Sequence, residues 1–155
     1  MRRGTLIAGL ALALSGCGGD EDIQTPVACL GDASVYAQAL ESAPGEVLLE
    51  GETPISECLV ENQAEGDLGT VGEQLVAVAT DLNAEAREDP GGDATVQLGY
   101  LVGAVQEGAS STSGIHEDLV IRLDAAARFA ASGKPLPVEF ERAFGEGYAA
   151  GQASG

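Results

Sequence analysis

Hydrophobic positions recur at steps of three and four residues through much of this chain, and that spacing places their side chains on one face of an α-helix. The longest series belongs to a segment that Asp89-Pro90-Gly91-Gly92, a run of helix-breaking residues, brings to an end. Its members are Leu68, Val71, Leu75, Val78 and Leu82. The pattern predicts a helix over about 68–88 with one buried stripe.

A pair of glycines marks the next predicted helix, which Asp93 caps and which extends to about residue 107. Gly99 and Gly103 lie one turn apart within it. In a membrane this spacing is typical of helix dimerisation, but the segment is too short to span a bilayer. The pair therefore predicts close packing against a neighbouring helix.

Two more helices are predicted beyond a small polar loop at 109–114. The first covers about 115–131, and its stripe consists of Leu119, Leu123, Ala126 and Ala130. The second starts at Pro137, since proline suits the first turn of a helix. It carries an aromatic stripe at steps of four: Phe140, Phe144 and Tyr148. Such a stripe usually belongs to the core, and the alternative is an exposed ridge that docks another protein.

Helix breakers also divide the first half of the chain. Asp32 is the predicted N-cap of a helix over 33–43, which Pro44-Gly45 stops. Thr53-Pro54 has the cap and first turn of a helix that extends to about residue 63 and carries Cys58 and Leu59 inward. Long period-two alternation, which is typical of sheets, is missing. The sequence therefore predicts an all-α fold, an irregular bundle of about five or six helices with short loops.

The start of the chain follows a different pattern. Arg2 and Arg3 precede a short apolar run over 6–14, which ends in Leu14-Ser15-Gly16-Cys17. This order resembles the signal sequence of bacterial lipoproteins, whose lipobox places a hydrophobic residue and two small residues before a cysteine. The resemblance covers residues 1–17 alone. It implies that the Cys17 thiol is acylated, by chains such as palmitate, and that cleavage makes Cys17 the new N-terminus.

Two other interpretations of this segment fit less well. A membrane-spanning helix needs about 20 apolar residues, about twice this run. Ala11-Leu12-Ala13 matches the cleavage pattern of an ordinary signal peptide, but cleavage there would leave too short an apolar stretch ahead of it. The lipobox therefore implies a protein of the cell envelope, anchored by lipid to the extracytoplasmic side of a bacterial membrane.

The lipobox and the helix pattern together divide the chain into four parts. Residues 1–16 are the predicted signal peptide, and 17–27 are a flexible acidic tether. Residues 28–150 form the helical domain, and 151–155 are predicted to be a disordered tail.

Two cysteines remain after Cys17, namely Cys29 and Cys58. Export would place them in an oxidising compartment, where disulfides persist, and an even remainder indicates a pair. A disulfide that closes a loop of about thirty residues stabilises a fold by about 3–4 kcal/mol in the chain-entropy account. The sequence therefore predicts one disulfide, Cys29–Cys58.

The charge is strongly one-sided, with 25 acids against 7 bases and a formal net charge of −18. Without Arg2 and Arg3, five bases would face 25 acids, which gives −20. Such a surface repels nucleic acid and anionic phospholipid, so no nucleic-acid partner is expected. An acidic shell of this kind mostly keeps a protein soluble. The alternative is a surface that attracts cations or a basic partner.

Catalytic chemistry has few candidates, because His116 is the single histidine. A hydrolase triad or a zinc site needs a histidine with partners in defined geometry. His116 is expected on the solvated first turn of a helix, beside Glu117 and Asp118. Gly145-x-Gly147 lies inside a predicted helix and follows no strand, so it does not match a dinucleotide loop. No cofactor, no metal site and no enzymatic activity are predicted.

Three hypotheses of function follow. The leading one is a non-enzymatic lipoprotein that binds another envelope protein or stabilises an envelope assembly, with Phe140, Phe144 and Tyr148 as the interaction surface. The second is a module that binds a small ligand or a cation, with Arg122, His116 and Tyr100 as candidate residues. The third is an enzyme built around His116.

The scarce arginines have a simpler interpretation as partners of nearby acids. Three acids precede an arginine by three or four residues, an order that favours surface ion pairs on a helix. The pairs are Asp118–Arg122, Asp124–Arg128 and Glu139–Arg142. In the second hypothesis, Arg122 instead faces a groove and holds an anionic ligand.

Overall fold

The protein folds as a bundle of five α-helices, seen in a computed structural model that describes residues 24–129 and 135–155. The helices are α1 (Ala33–Leu40), α2 (Glu65–Glu88), α3 (Asp93–Ser110), α4 (Glu117–Ala126) and α5 (Val138–Ser154). Short 3-10 helices lie at Val27–Leu30 and Ile55–Cys58. The described ranges contain no strand, only an isolated bridge between Leu49 and Thr53. The predicted all-α bundle is confirmed.

Helix α2 confirms the longest hydrophobic series. Four of its five members are buried, and Leu68 is half-buried at the edge. The helix begins three residues earlier than predicted, at Glu65. Glu65 and Asp67 lie in its first turn and Arg87 in its last turn. These charges favour the extra turn because they oppose the partial charges at the two helix ends.

Asp32 is the N-cap of α1, as predicted. Its Oδ1 accepts a hydrogen bond from the Ser34 backbone N–H at 2.9 Å and another from the Ser34 hydroxyl. These bonds, the one from the hydroxyl first, lower the pKa of Asp32 because they stabilise the carboxylate. The helix itself is shorter than predicted and ends at Leu40.

The predicted helix over 54–63 is wrong in extent. Only the 3-10 helix Ile55–Cys58 forms, because Leu59 leaves the helical region at φ −107° and ψ 89°. Asn62 then takes a positive φ of 61°, which no α-helix accommodates. Cys58 and Leu59 are nevertheless buried, as predicted.

The bounds of α3 and α4 also differ from the prediction. Gly92, and not Asp93, is the N-cap residue of α3. Helix α4 starts at Glu117, two residues later than predicted, and ends at Ala126; residues 130–131 of the predicted range 115–131 lie outside the described residues.

The end of α4 depends on α2. The Asn83 side-chain amide of α2 donates to the carbonyl oxygens of Ala126 at 2.7 Å and of Arg128 at 3.0 Å, which satisfies the end of the helix. Ala127 is buried where the prediction had Ala126, which is half-buried. The predicted stripe residue Ala130 lies outside the described residues.

The Cys29–Cys58 disulfide is present, with a Cα–Cα distance of 5.4 Å. It joins the two 3-10 helices across a sequence separation of 29 residues. Tyr36 of α1 packs over it, and its hydroxyl donates to the Cys29 carbonyl oxygen at 2.7 Å. Burial raises the pKa of the Tyr36 phenol, because the charged form would lose its water.

Helices α3 and α5 make the most extensive contact in the fold. A Cβ at Gly99 would overlap the Phe144 carbonyl oxygen, and one at Gly103 would overlap the Tyr148 carbonyl oxygen. The predicted close packing at Gly99 and Gly103 is therefore confirmed. Higher positions of α3 meet higher positions of α5, so the two helices run parallel.

Helix α5 supplies its own glycines to the same contact. A Cβ at Gly147 would overlap the Val96 carbonyl oxygen, and one at Gly151 would overlap the Tyr100 carbonyl oxygen. Each glycine thus points a Cα hydrogen at a carbonyl of the other helix, the geometry of a weak C–H···O bond. We call this contact the glycine seam; it consists of Gly99, Gly103, Gly147 and Gly151.

The predicted disordered tail at 151–155 is wrong. Helix α5 continues to Ser154, and Gly151 and Gly155 are buried. The reason is that Gly155 extends the four-residue step of the seam, and its carbonyl oxygen accepts a hydrogen bond from the Ser56 hydroxyl. The tail is therefore held between α3 and the 3-10 helix Ile55–Cys58.

At the other end of the chain, Cys17 and most of the predicted tether lie outside the described residues. The packed domain begins earlier than residue 28, because Thr25 is buried and accepts a hydrogen bond from the Gln63 side-chain amide at 2.9 Å. Among the described residues, none of the helices combines the length and the apolar character needed to cross a membrane.

Candidate functional site

Helices α4 and α5 both pack on α3 but, within the described ranges, make little contact with each other. An open groove of about 460 Å³ lies between them, above Val102 of α3. Its lining is mostly apolar and consists of Val102, Asp124, Ala127, Arg128, Phe129, Leu136, Phe140 and Phe144. We call it the aromatic groove.

A row of aromatic rings borders this groove, and all of them except Tyr148 line it. The ring centroids of Phe129 and Phe140 are 4.3 Å apart, those of Phe140 and Phe144 5.5 Å, and those of Phe144 and Tyr148 6.2 Å. Phe140 belongs to the buried core, while Phe144 and Tyr148 are half-buried. The aromatic stripe predicted from the sequence is thus partly core and partly the edge of an open groove.

A chain of hydrogen bonds connects the three helices that form the groove. The Tyr148 hydroxyl of α5 donates to Gln106 Oε1 of α3 at 2.6 Å. Gln106 Nε2 in turn donates to Asp124 Oδ1 of α4 at 3.3 Å. At the outer end, Gln152 Nε2 donates to the Tyr148 hydroxyl at 2.9 Å. These bonds fix the distance between α4 and α5, the two walls, so the groove is already formed in the absence of a partner.

A second, shallower cavity of about 400 Å³ adjoins the aromatic groove along α3 and α4. It is lined by Gln106, Ala109, Ser110, Gly114, Glu117 and Val120. Since Gln106 lines this cavity and its bonded partner Asp124 lines the groove, the two cavities meet at that hydrogen bond. Helix α4 borders both cavities, and we call the two together the depression.

Some of the exposed large apolar side chains belong to α4, α5 and the segment before α5, while Val27 and Leu30 are exposed on the first 3-10 helix. Leu136 is 37% exposed at the rim of the groove, and Val138 is 74% exposed at the start of α5. Ile121 of α4 is 63% exposed. Apolar surface that adjoins an apolar groove is typical of an interaction site.

The candidate ligand residues are not brought together. Tyr100 is fully buried in the core, with its hydroxyl 3.4 Å from Ser154 Oγ. Arg122 lies in solvent and pairs weakly with Asp118 at 3.9 Å, so the surface-pair interpretation is confirmed. Neither residue lines the aromatic groove or the second cavity.

Neither of the other two predicted ion pairs forms. Arg142 pairs with Glu146, four residues later in the helix, at 3.8 Å and not with Glu139. Asp124 accepts its hydrogen bond from Gln106, and Arg128 lines the aromatic groove.

The expectation that His116 is solvated is wrong, because only 1% of it is exposed. Its Nδ1 lies 2.8 Å from Thr112 Oγ1, and its Nε2 lies 2.7 Å from Gln63 Oε1. Burial lowers the pKa of this imidazole, which favours the neutral ring. With both nitrogens engaged by neutral side chains, His116 braces the start of α4. Sequence reasoning missed this role because Gln63 is far away along the chain.

Gln63 extends the His116 contact to the N-terminal part of the fold. Its side-chain nitrogen donates to the Cys58 carbonyl oxygen and to Thr25 Oγ1, both at 2.9 Å. A partly buried chain of hydrogen bonds therefore links the first described residues, the disulfide and α4. This chain is structural, and it holds the α4 wall of the depression in place.

Metal chemistry finds no geometric support in the described ranges, where no three His, Cys, Asp or Glu residues are grouped to hold an ion. No protein-family model, curated protein or solved structure matches this chain. The aromatic groove is therefore the feature from which a function can be argued.

Proposed function

We propose that this chain is a lipid-anchored, extracytoplasmic envelope protein that docks a helix of a partner protein in the aromatic groove and catalyses no reaction. The anchor rests on the lipobox resemblance at Leu14-Ser15-Gly16-Cys17, which lies outside the described residues. The docking role rests on one observation, the open groove between α4 and α5.

The groove suits a helix because its own walls are helices. A helix with an apolar face laid into an apolar groove is a recurrent mode of recognition. Phe144 and Leu136 offer apolar surface that a partner would remove from water, at about 25 cal/mol per Å². Because the Tyr148–Gln106–Asp124 bonds already hold the walls apart, a partner would spend little binding energy on ordering them.

A second candidate function is the binding of a small amphiphile in the same groove. A cavity of about 460 Å³ falls within the range of small-molecule sites, roughly 300–1,000 Å³. We rank it second because the depression continues along α4 into the second cavity, a length that favours a helix over a compact ligand.

In-cell crosslinking tests the docking proposal. A photoreactive amino acid replaces Leu136 at the groove rim, and a matched control carries it at Asp81, which is exposed on α2. We expect one dominant protein adduct from position 136, none from position 81, and loss of the adduct when Phe144→Ala is added. No protein adduct at 136, or the same adducts at both positions, would overturn the proposal.

The anchor has its own test. A Cys17→Ala chain is expected to leave the membrane fraction and to lose the adduct at position 136, because anchoring keeps both proteins at one surface. A Cys17→Ala chain that fractionates like the wild type would contradict the lipoprotein assignment without affecting the groove.

A further inference from the structure

We infer that the partner helix is basic, and that Asp124 is the residue that selects its positive charge; this rests on the proposed docking function. Asp124 is a carboxylate in the wall of a mostly apolar groove. Exposed acidic residues are common on this protein, but an acid that lines the groove would contact any partner bound there.

The hydrogen bonding of Asp124 leaves capacity for a partner. Gln106 Nε2 donates to one of its oxygens at 3.3 Å, which orients the side chain. A carboxylate has about four acceptor positions on its two oxygens, so most remain open. A lysine or arginine of the partner would form a charge-assisted bond there, stronger than a bond between neutral groups.

The charges near the groove also favour a basic partner. Glu117 lines the second cavity further along α4, and the chain as a whole carries 25 acids against 7 bases. Such a field attracts a basic segment and speeds its association. Arg128, about one helical turn from Asp124, also lines the groove, so the partner should carry its bases toward Asp124 and Glu117 and none opposite Arg128.

The length of the depression limits the size of the occupant. Helix α4 has 10 residues, which corresponds to about 15 Å at 1.5 Å per residue. About three turns of a partner helix therefore lie along it. An apolar stripe on those turns would face Phe144 and Val102, with a basic residue beside the stripe reaching Asp124.

Three synthetic peptides of about 14 residues test this inference by fluorescence anisotropy. One is an amphipathic helix of Leu, Ala and Lys, the second carries Glu in place of Lys, and the third is a scrambled version of the first. The receptor is the full lipidated chain in neutral-lipid nanodiscs, and empty nanodiscs supply the blank. We expect the basic helix to bind roughly tenfold tighter than either of the others.

Charge reversal distinguishes Asp124 from the general acidity of the surface. Asp124→Lys should reverse the preference toward the Glu peptide. Asp81→Lys, which changes the net charge equally on exposed α2 surface, should leave the preference in place. Equal effects of the two variants would overturn the role of Asp124.

The same experiment separates the two proposals. If the Glu peptide binds the wild type at least as tightly as the Lys peptide, the basic-partner inference fails while docking stands. If neither amphipathic peptide binds more tightly than the scrambled one, docking in the groove fails as well.

Discussion

Helix α5 presents two adjacent edges that differ in almost every physical respect. On one edge, glycines bring its backbone against that of α3, and no side chain separates the two helices. On the next edge, Phe144 lines an open groove that α4 also borders, and Tyr148 continues the aromatic row beyond the groove. The glycine edge of α5 is closed because glycine has no side chain. The aromatic edge stays open because its side chains are large.

The difference between the two edges of α5 explains why the groove exists. Among the helices that the structure describes, α5 packs extensively only on α3, and the glycine seam gives it enough backbone contact to be held by that neighbour. It therefore does not need α4 as a second support. The aromatic edge is left partly exposed, and that is the surface we assign to a partner.

The largest expected effect comes from removing the disulfide, which supports the segment that holds the end of α5. The disulfide holds the 3-10 helix Ile55–Cys58, whose Ser56 contacts Gly108 and Gly155. Replacing both Cys29 and Cys58 by Ala should lower the free energy of unfolding by about 3–4 kcal/mol. Urea denaturation measures it. Reduced wild-type protein should behave like the variant, and an unchanged midpoint would contradict the prediction.

Gly147→Ala should break the middle of the seam. Its Cβ would overlap the Val96 carbonyl oxygen, a backbone atom that cannot move aside alone. We expect a loss of about 3 kcal/mol, the upper end of the usual range for overpacking, measured by thermal or urea unfolding.

Gly145→Ala is the matched control two residues away. A Cβ there meets nothing within 4 Å, so alanine should stabilise the helix by about 0.5–1 kcal/mol. Effects of the same sign for the two variants would mean that the seam is not a close backbone contact.

A smaller effect is expected on the open edge. Phe144→Ala should lower stability by only about 1–2 kcal/mol, less than the 3–5 kcal/mol usual for a buried phenylalanine, because its ring is half-buried. The buried Phe140, replaced in the same way, should cost more. An equal loss for both would show that the groove is part of the closed core.

The smallest expected effect is a pH dependence at the start of the α4 wall. Burial lowers the pKa of His116 in the folded state, whereas the unfolded chain keeps a value of about 6.5. The unfolded state therefore binds more protons as the pH falls below that value, and stability drops with it. We expect the wild type to lose stability relative to His116→Gln as the pH falls from 8 to 5, at less than about 1.4 kcal/mol per pH unit.

Unfolding curves of both proteins at each pH measure this difference. The acidic side chains are common to the two, so their titration cancels. A difference that stays constant across the range would contradict a buried, neutral His116.

Local patterns in the sequence were enough for much of the fold. The stripe of α2, the Asp32 cap and the Cys29–Cys58 pair depend on residues close in sequence or on counting, and all three are confirmed. Gly99 and Gly103 predicted close packing against a neighbouring helix, but their spacing did not indicate which helix that is. In each case the deciding interaction is within one helix or follows from a simple rule of burial or pairing.

The rest was decided by residues that meet only in the folded chain. His116 is buried because Gln63 and Thr112 satisfy its nitrogens, and no local pattern distinguishes it from a solvated histidine. The tail is ordered because Gly155 reaches Ser56, 99 residues away along the chain. The groove exists because the glycine seam places α5 on α3 beside α4. Hydrophobic periodicity determines which face of a helix is buried, but which helix covers it, and which edge stays open, depends on backbone approach in three dimensions.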